Sequence, residues 1–195
     1  ESVICGWKLI KEIARKNKTI IVPVDSEHFS IFKLLKNQNL KNIEKIFITA
    51  SGGPFLNFTK NDLKKITPEQ AVKHPKWKMG KKISVDSSTL MNKILETIEA
   101  QKLFDIPEKK IEILIHPDSL VHAIVKFKNG LTKLVVHDTN MKIPIANSLY
   151  PSPKIINSKN INLKILNNLD FRVIDNNRFP VTKILKILPK KTSLF

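Results

Sequence analysis

The sequence predicts an α/β (α+β-like) fold, a mixed sheet with flanking helices. Three observations carry that expectation. Short β-branched runs alternate with stretches of helical periodicity through residues 1–115. Two of the runs, Thr19–Val24 and Lys45–Ala50, are apolar almost throughout, as strands buried on both faces are. Finally, two strand-like runs, Leu120–Phe127 and Leu131–His137, flank the turn signal Asn129-Gly130 and predict an antiparallel hairpin added to the same sheet or to an interface.

In order along the chain, Val3, Ile4, Trp7, Ile10, Ile13 and Ala14 recur at helical spacing, so residues 2–16 read as a helix, with Cys5 as a small core residue. The Thr19–Val24 run ends in Asp25-Ser26-Glu27-His28, and a short helix through Ile31, Phe32, Leu34 and Leu35 follows. Lys45–Ala50 runs into Ser51-Gly52-Gly53-Pro54-Phe55. Thr67-Pro68-Glu69-Gln70 combines a cap, a proline at the first helical position and a capping-box glutamine. That helix must stop by His74, because Pro75 disfavours helical geometry in the residue before it. Residues 76–82 read as a loop carrying Trp77. A helix capped by Asp86 or Ser87 then runs to about Phe104, and Ile111–Ile115 is a further strand. Beyond Pro151 the pattern thins, which gives a division into a unit 1–151 and a linker with the start of a further region, 152–195.

Composition narrows the classes. No apolar run is long enough for a membrane-spanning helix. One cysteine excludes an internal disulfide. Lysine and arginine total 34 against 17 acids, a formal charge of +17, which suits phosphates, nucleic acid or anionic surfaces. The abundance of lysine, isoleucine and asparagine also fits simple compositional drift. The start Glu1-Ser2-Val3 has no methionine, basic leader or apolar signal core and reads as a piece cut from a longer chain.

Chemistry concentrates in four places. On the helix containing Met91-Asn92-Lys93, an apolar stripe of Leu90, Met91, Ile94, Leu95 and Ile98 opposes Asn92, Glu96 and Glu99, with Lys93 at the flank. Asp25 and Glu27 follow an expected strand end, where ligands gather in α/β sheets. With Glu96 they would form an all-oxygen site for Mg²⁺ or Mn²⁺; spacing alone favours instead Asp25 as a cap of the next helix and a solvated Glu27. Ser51-Gly52-Gly53 offers a hydroxyl and close backbone approach to an anion, or a plain turn. Residues 73–82 hold five lysines with His74 and Trp77, which suits a lid over a phosphorylated ligand, a solvated charge run or a nucleic-acid patch. His116 and His122 read as structural.

Pro23–His28, Ser51–Phe55, His74–Ser87 and Met91-Asn92-Lys93 occur in that order, followed by Ile115-His116-Pro117-Asp118-Ser119 and Met141–Ala146. Together they resemble the catalytic domain of the 1-deoxy-D-xylulose 5-phosphate reductoisomerase family, closely over about residues 1–151. The resemblance implies a metal- and NADPH-dependent isomerisation and reduction of that phosphorylated sugar to 2-C-methyl-D-erythritol 4-phosphate in the non-mevalonate isoprenoid route. It implies Asp25, Glu27 and Glu96 as ligands of Mg²⁺ or Mn²⁺. Ser26, Glu27, Ser51, Ser87, Asn92, Lys93 and Glu96 are implied at the substrate, under a loop bearing His74, Trp77 and Met79. Glu1 and Gly80 are implied at NADPH, and Asp25, Glu27, Glu96, His74 and Lys93 as the catalytic set. It also implies a homodimer in the bacterial cytoplasm or a plastid-type organelle, with no nucleic-acid or membrane partner. Against the family pattern, Ile94 replaces a glycine, a lysine expected before Glu1 is lacking, and so are the Rossmann-like N-terminal NADPH domain and most of the C-terminal helical domain. Weak NADPH binding and little turnover by these residues alone are therefore expected.

Overall fold

The computed structural model describes residues 2–150, 155–158 and 161–187. Its centre is β1 (Ile43–Ala50), where Ile46, Ile48 and Ala50 point to one face and Lys45, Phe47 and Thr49 to the other. β2 (Ile111–Ile115) lies parallel to it, with Ile46 opposite Ile111 and Ala50 opposite Ile115. β3 (Val121–Phe127) pairs antiparallel on the other side. β4 (Thr132–Val136) closes the expected hairpin on β3 through Gly130, whose φ of +86° suits glycine. A two-residue β5 (Arg172–Val173) adds to the β2 edge, giving the order β4-β3-β1-β2-β5. The sheet is mixed, with the hairpin joined to it.

Two helices cover the face on which the core forms. α2 (Ser26–Leu35) contributes Ile31, Leu34 and Leu35, which pack on Ile43, Ile46 and Ile48 of β1 and on Ala123, Val125 and Phe127 of β3. α6 (Met91–Phe104) adds Ala100 to that cluster. A second cluster joins Ala50, Ile113, Ile115 and Leu90 to Phe179, so residues beyond 152 share the core. The remaining helices are α1 (Ser2–Lys16), α3 (Lys60–Leu63), α4 (Pro68–Ala71), α5 (Lys81–Thr89), α7 (Lys142–Leu149) and α8 (Leu163–Asn167). α4 starts with the expected capping box, both reciprocal hydrogen bonds of Thr67 and Gln70 being made.

Three local expectations are corrected. Thr19–Val24 is not a buried strand: it pairs with no strand, and Ile20, Val22 and Val24 are exposed. Its β-branched composition supplies propensity, but the segment pairs with neither edge of the sheet. Cys5 is exposed rather than a core residue. The helix containing Asn92 is not capped at Asp86 or Ser87, which lie inside α5, and Lys81-Lys82 open that helix instead of closing the loop. The break falls at Leu90, fully buried and held at φ +66° between α5 and α6. Leu90 N–H donates to the Ser87 carbonyl while its own carbonyl accepts from Lys93 and Ile94. A continuous helical period conceals such a turn, because only one residue departs from it. Ile94 is fully buried against the core, as its place on the apolar stripe predicts.

Gly53 fixes how the end of β1 meets α5. Its φ is +69°, and a Cβ there would lie 2.8 Å from both the Ser87 carbonyl oxygen and Ser88 Cα. Backbone on both sides cannot yield cheaply. Gly53→Ala is expected to lower unfolding stability by about 3 kcal/mol, from left-handed strain and overpacking together. Urea unfolding measures this, and a loss below about 1 kcal/mol would contradict the close approach.

Candidate active site

The carboxyl end of β1, the start of α2, the loop before α5 and the first two turns of α6 enclose a cavity of about 380 Å³. Its lining includes Asp25, Ser26, Glu27, Ser51, His74, Trp77, Met79, Gly80, Ser87, Asn92, Lys93 and Glu96, so every expected site residue within the described part of the chain reaches it. Glu1 lies outside the described residues. Gly80 also borders a second, more open depression next to Asp25, Lys82 and Glu99.

Carboxylate oxygens of Asp25, Glu27 and Glu96 lie within 4.8 Å of one another. Glu27 and Glu96 are buried, so neither is the solvated acid that spacing alone allows. Asp25 stands at the N-cap position of α2, yet its side chain makes no capping hydrogen bond. Three hard oxygen donors at this separation fit an Mg²⁺- or Mn²⁺-sized ion.

Lys93 is the counter-charge. Its ammonium donates to Glu27 Oε1 at 2.5 Å and to Glu96 Oε2 at 2.8 Å. Asn92 Nδ2 donates to Glu96, and Ser26 Oγ to Glu27. Two buried carboxylates thus share one ammonium, and their protonation diverges. Burial raises the Glu27 pKa, but Lys93 and His122 outweigh it and hold the group well below the ordinary carboxylate value. At Glu96 burial and then repulsion from Glu27 prevail over Lys93, pushing it well above that value. For Lys93, burial lowers the pKa, but the attraction of Glu27 and Glu96 overrides it and the net shift is upward. Unlike-shifted acids side by side mark a site built for charge rather than for packing.

The polar side of α6 is therefore buried rather than solvated: Lys93, Glu96 and Glu99 are all among its buried residues. The helix is a wall of the site.

The loop before α5 is tied to the carboxyl end of β1 through His74. Its Nδ1 accepts from the backbone amides of Lys76 at 3.1 Å and Trp77 at 2.9 Å. The hydrogen must then sit on Nε2, which donates to Ser51 Oγ at 2.8 Å. Ser51 Oγ also accepts from the Gly53 amide at 3.1 Å. With both acceptor positions used, the Ser51 hydroxyl proton is left to donate into the cavity, as an anion requires. Burial, then the nearby Lys93 charge, lowers the His74 pKa to about 4. A pKa below the unfolded value of about 6.5 means that the loop geometry is fully favoured above pH 6.5 and lost as pH falls through about 4. In a Trp7→Phe background, Trp77 fluorescence should stay constant above pH 6.5 and shift near pH 4; a transition centred at 6.5 would contradict this.

Two further histidines belong to the surroundings of the acids: His28, given no role of its own by spacing, and His122, expected to be merely structural. His28 Nδ1 is 3.1 Å from Asp25 Oδ2, and burial notwithstanding, Asp25 and then Glu96 raise its pKa to about 9. His122 Nδ1 is 3.9 Å from Glu27 Oε1; its ring stacks on His137 and meets the edge of Trp77. A histidine inside an otherwise almost wholly apolar strand was the signal available for His122. His116, by contrast, is structural: Nδ1 donates to the Asp170 carbonyl and the ring stacks on Phe171.

Residues 21–104 match the profile of the 1-deoxy-D-xylulose 5-phosphate reductoisomerase C-terminal domain. Over 196 aligned residues the chain is 59% identical to the 1-deoxy-D-xylulose 5-phosphate reductoisomerase of Pelagibacter ubique (strain HTCC1062), an alignment taking in 100% of this chain and 50% of that protein. Over its whole length the chain is thus similar to half of a 1-deoxy-D-xylulose 5-phosphate reductoisomerase. The family protein of Wolbachia sp. subsp. Drosophila simulans (strain wRi) is 46% identical over 98% of this chain and 50% of its own length. The chain thus spans about half the length of the curated relatives it matches. Among solved structures, a family enzyme in complex with NADPH, fosmidomycin and magnesium superposes with a TM-score of 0.85 at 36% identity, covering 96% of this chain and 48% of that one. The Zymomonas mobilis family enzyme in complex with NADPH gives 0.84 at 37%, covering 95% and 48%.

Proposed function

We propose that this chain carries the metal and substrate site of an NADPH-dependent conversion of 1-deoxy-D-xylulose 5-phosphate to 2-C-methyl-D-erythritol 4-phosphate. The observation that carries the reading is the convergence of Asp25, Glu27 and Glu96 in one cavity that Ser51 and Ser87 also line. When bound, a divalent ion supplies Lewis-acid polarisation of the ketone and adjacent hydroxyl, and NADPH supplies the hydride. The chain's own groups do the rest. Ser51, Ser87, Asn92 and Lys93 hold the phosphate end, which orients the reacting carbons by binding energy remote from them. Trp77 and Met79 cover the cavity and exclude water from the reduction. Ser26 and Glu27 lie where a substrate hydroxyl meets the acids, and Gly80 borders the side from which NADPH approaches.

Residues 1–151 are taken as the catalytic unit and 152–195 as a linker with the start of a further region. The reading includes a homodimer, for which the exposed Leu131 and Leu134 of the hairpin offer a contact, and a cytoplasmic setting without nucleic-acid or membrane partners. Among the described residues no helix is long and apolar enough to cross a membrane.

Calorimetric titration with 1-deoxy-D-xylulose 5-phosphate tests the proposal. Binding should require Mn²⁺ or Mg²⁺ and should weaken when inorganic phosphate competes. Binding of equal strength after complete chelation of divalent ions would reject it.

A further inference from the structure

We propose that His28 is a positioning residue of the cation site, tying the Asp25 carboxylate to the backbone of the helix that carries Glu96; the inference rests on the three-carboxylate reading above. His28 is 1% exposed and sits one turn after Asp25 in α2. Its Nε2 lies 2.9 Å from the Glu96 carbonyl oxygen, 68 residues away in sequence. A carbonyl only accepts, so Nε2 carries a hydrogen and donates. Nδ1 faces Asp25 Oδ2 at 3.1 Å, and a carboxylate also accepts. One ring therefore spans the two elements that supply the first and third acids.

The need for such a tie follows from where Asp25 sits. An aspartate at an N-cap position ordinarily turns its carboxylate onto the free amides of its own helix. Asp25 makes no such bond, and its side chain is 46% exposed, so neither a cap nor packing holds it in the site. The contact with His28 draws the carboxylate away from the helix end. Behind the ring, Glu99 Oε2 lies 3.9 Å from Nδ1, one turn beyond Glu96 on α6, and closes the other side of the imidazole. Outer partners of metal ligands typically control affinity by about 10–100-fold through this kind of orientation.

Mn²⁺ affinity, read by the electron paramagnetic resonance of free Mn²⁺, tests the inference without recourse to activity. His28→Gln, whose amide reaches only one of the two acceptors, should weaken binding by about 10-fold or more. A role exerted through Asp25 also predicts non-additivity: adding His28→Gln to Asp25→Asn should cost little further affinity. Additive losses would overturn the inference, since they would place the effect of His28 elsewhere. Glu96→Gln serves as the control on the reading beneath. If it leaves Mn²⁺ binding intact, the three-carboxylate site itself fails. If it abolishes binding while His28→Gln binds as tightly as the parent chain, only the positioning role is lost. Should His28→Gln not fold, Glu99→Gln replaces it, with an expected weakening of about threefold; unchanged affinity in that variant would equally overturn the inference.

Discussion

Lys93→Met is expected to destabilise the metal-free chain by about 3–5 kcal/mol, the range for removing one partner of a buried charge cluster. Methionine matches the stem of lysine in length and apolar character, so packing changes little and the charge effect is isolated. What remains is Glu27, a buried carboxylate whose ionisation depends chiefly on the Lys93 ammonium. Without it Glu27 must take up a proton or draw in water. Mn²⁺ should restore much of the lost stability, because a divalent ion between the same oxygens replaces the missing positive charge. Chemical unfolding with and without Mn²⁺ makes the measurement. A variant as stable as the parent in the absence of metal would show that the cluster does not need its cation.

The second large effect is on metal affinity. Glu96→Gln should weaken Mn²⁺ binding by about 100-fold or more, beyond the range seen for outer partners of a metal ligand. Its effect on metal-free stability should nevertheless be small. Glu96 is the acid pushed upward by burial and by Glu27, and a neutral amide mimics its protonated form. Glu27→Gln should behave differently. It removes the ionised partner of Lys93 and strands a buried ammonium, at a cost again of about 3–5 kcal/mol. Paired measurements of stability and Mn²⁺ affinity on the two variants decide the assignment. Equal destabilisation by both would mean that the negative charge is shared between them rather than resident on Glu27.

Much of this site was legible in the chain itself. Pro23–His28, Ser51–Phe55, the lysine-tryptophan loop and Met91-Asn92-Lys93 give the acids, hydroxyls, amide and ammonium that a metal and a phosphate require, and their order places the chain beside one family. The core strand, read as Lys45–Ala50 and found at Ile43–Ala50, the hairpin turned by Asn129-Gly130 and the Thr67–Gln70 capping box were equally readable, since each is written in neighbouring residues. Thr19–Val24 failed the same test: its composition favours a strand, but strands need partners, and β2 and β3 already occupy both edges of β1.

By itself, then, the sequence determined the secondary elements governed by local periodicity and the stock of groups available for chemistry. Only the tertiary structure decided how those groups are charged and oriented. Lys93 lies between Glu27 and Glu96 because α2 and α6 pack on the same face of the sheet, and Leu90 breaks the helix where the chain must turn to bring them together. His28 reaches the Glu96 carbonyl, and His122 approaches Glu27, through contacts spanning dozens of residues. Electrostatic interactions and hydrogen bonds depend on distance in space, whereas propensity and periodicity record only distance along the chain.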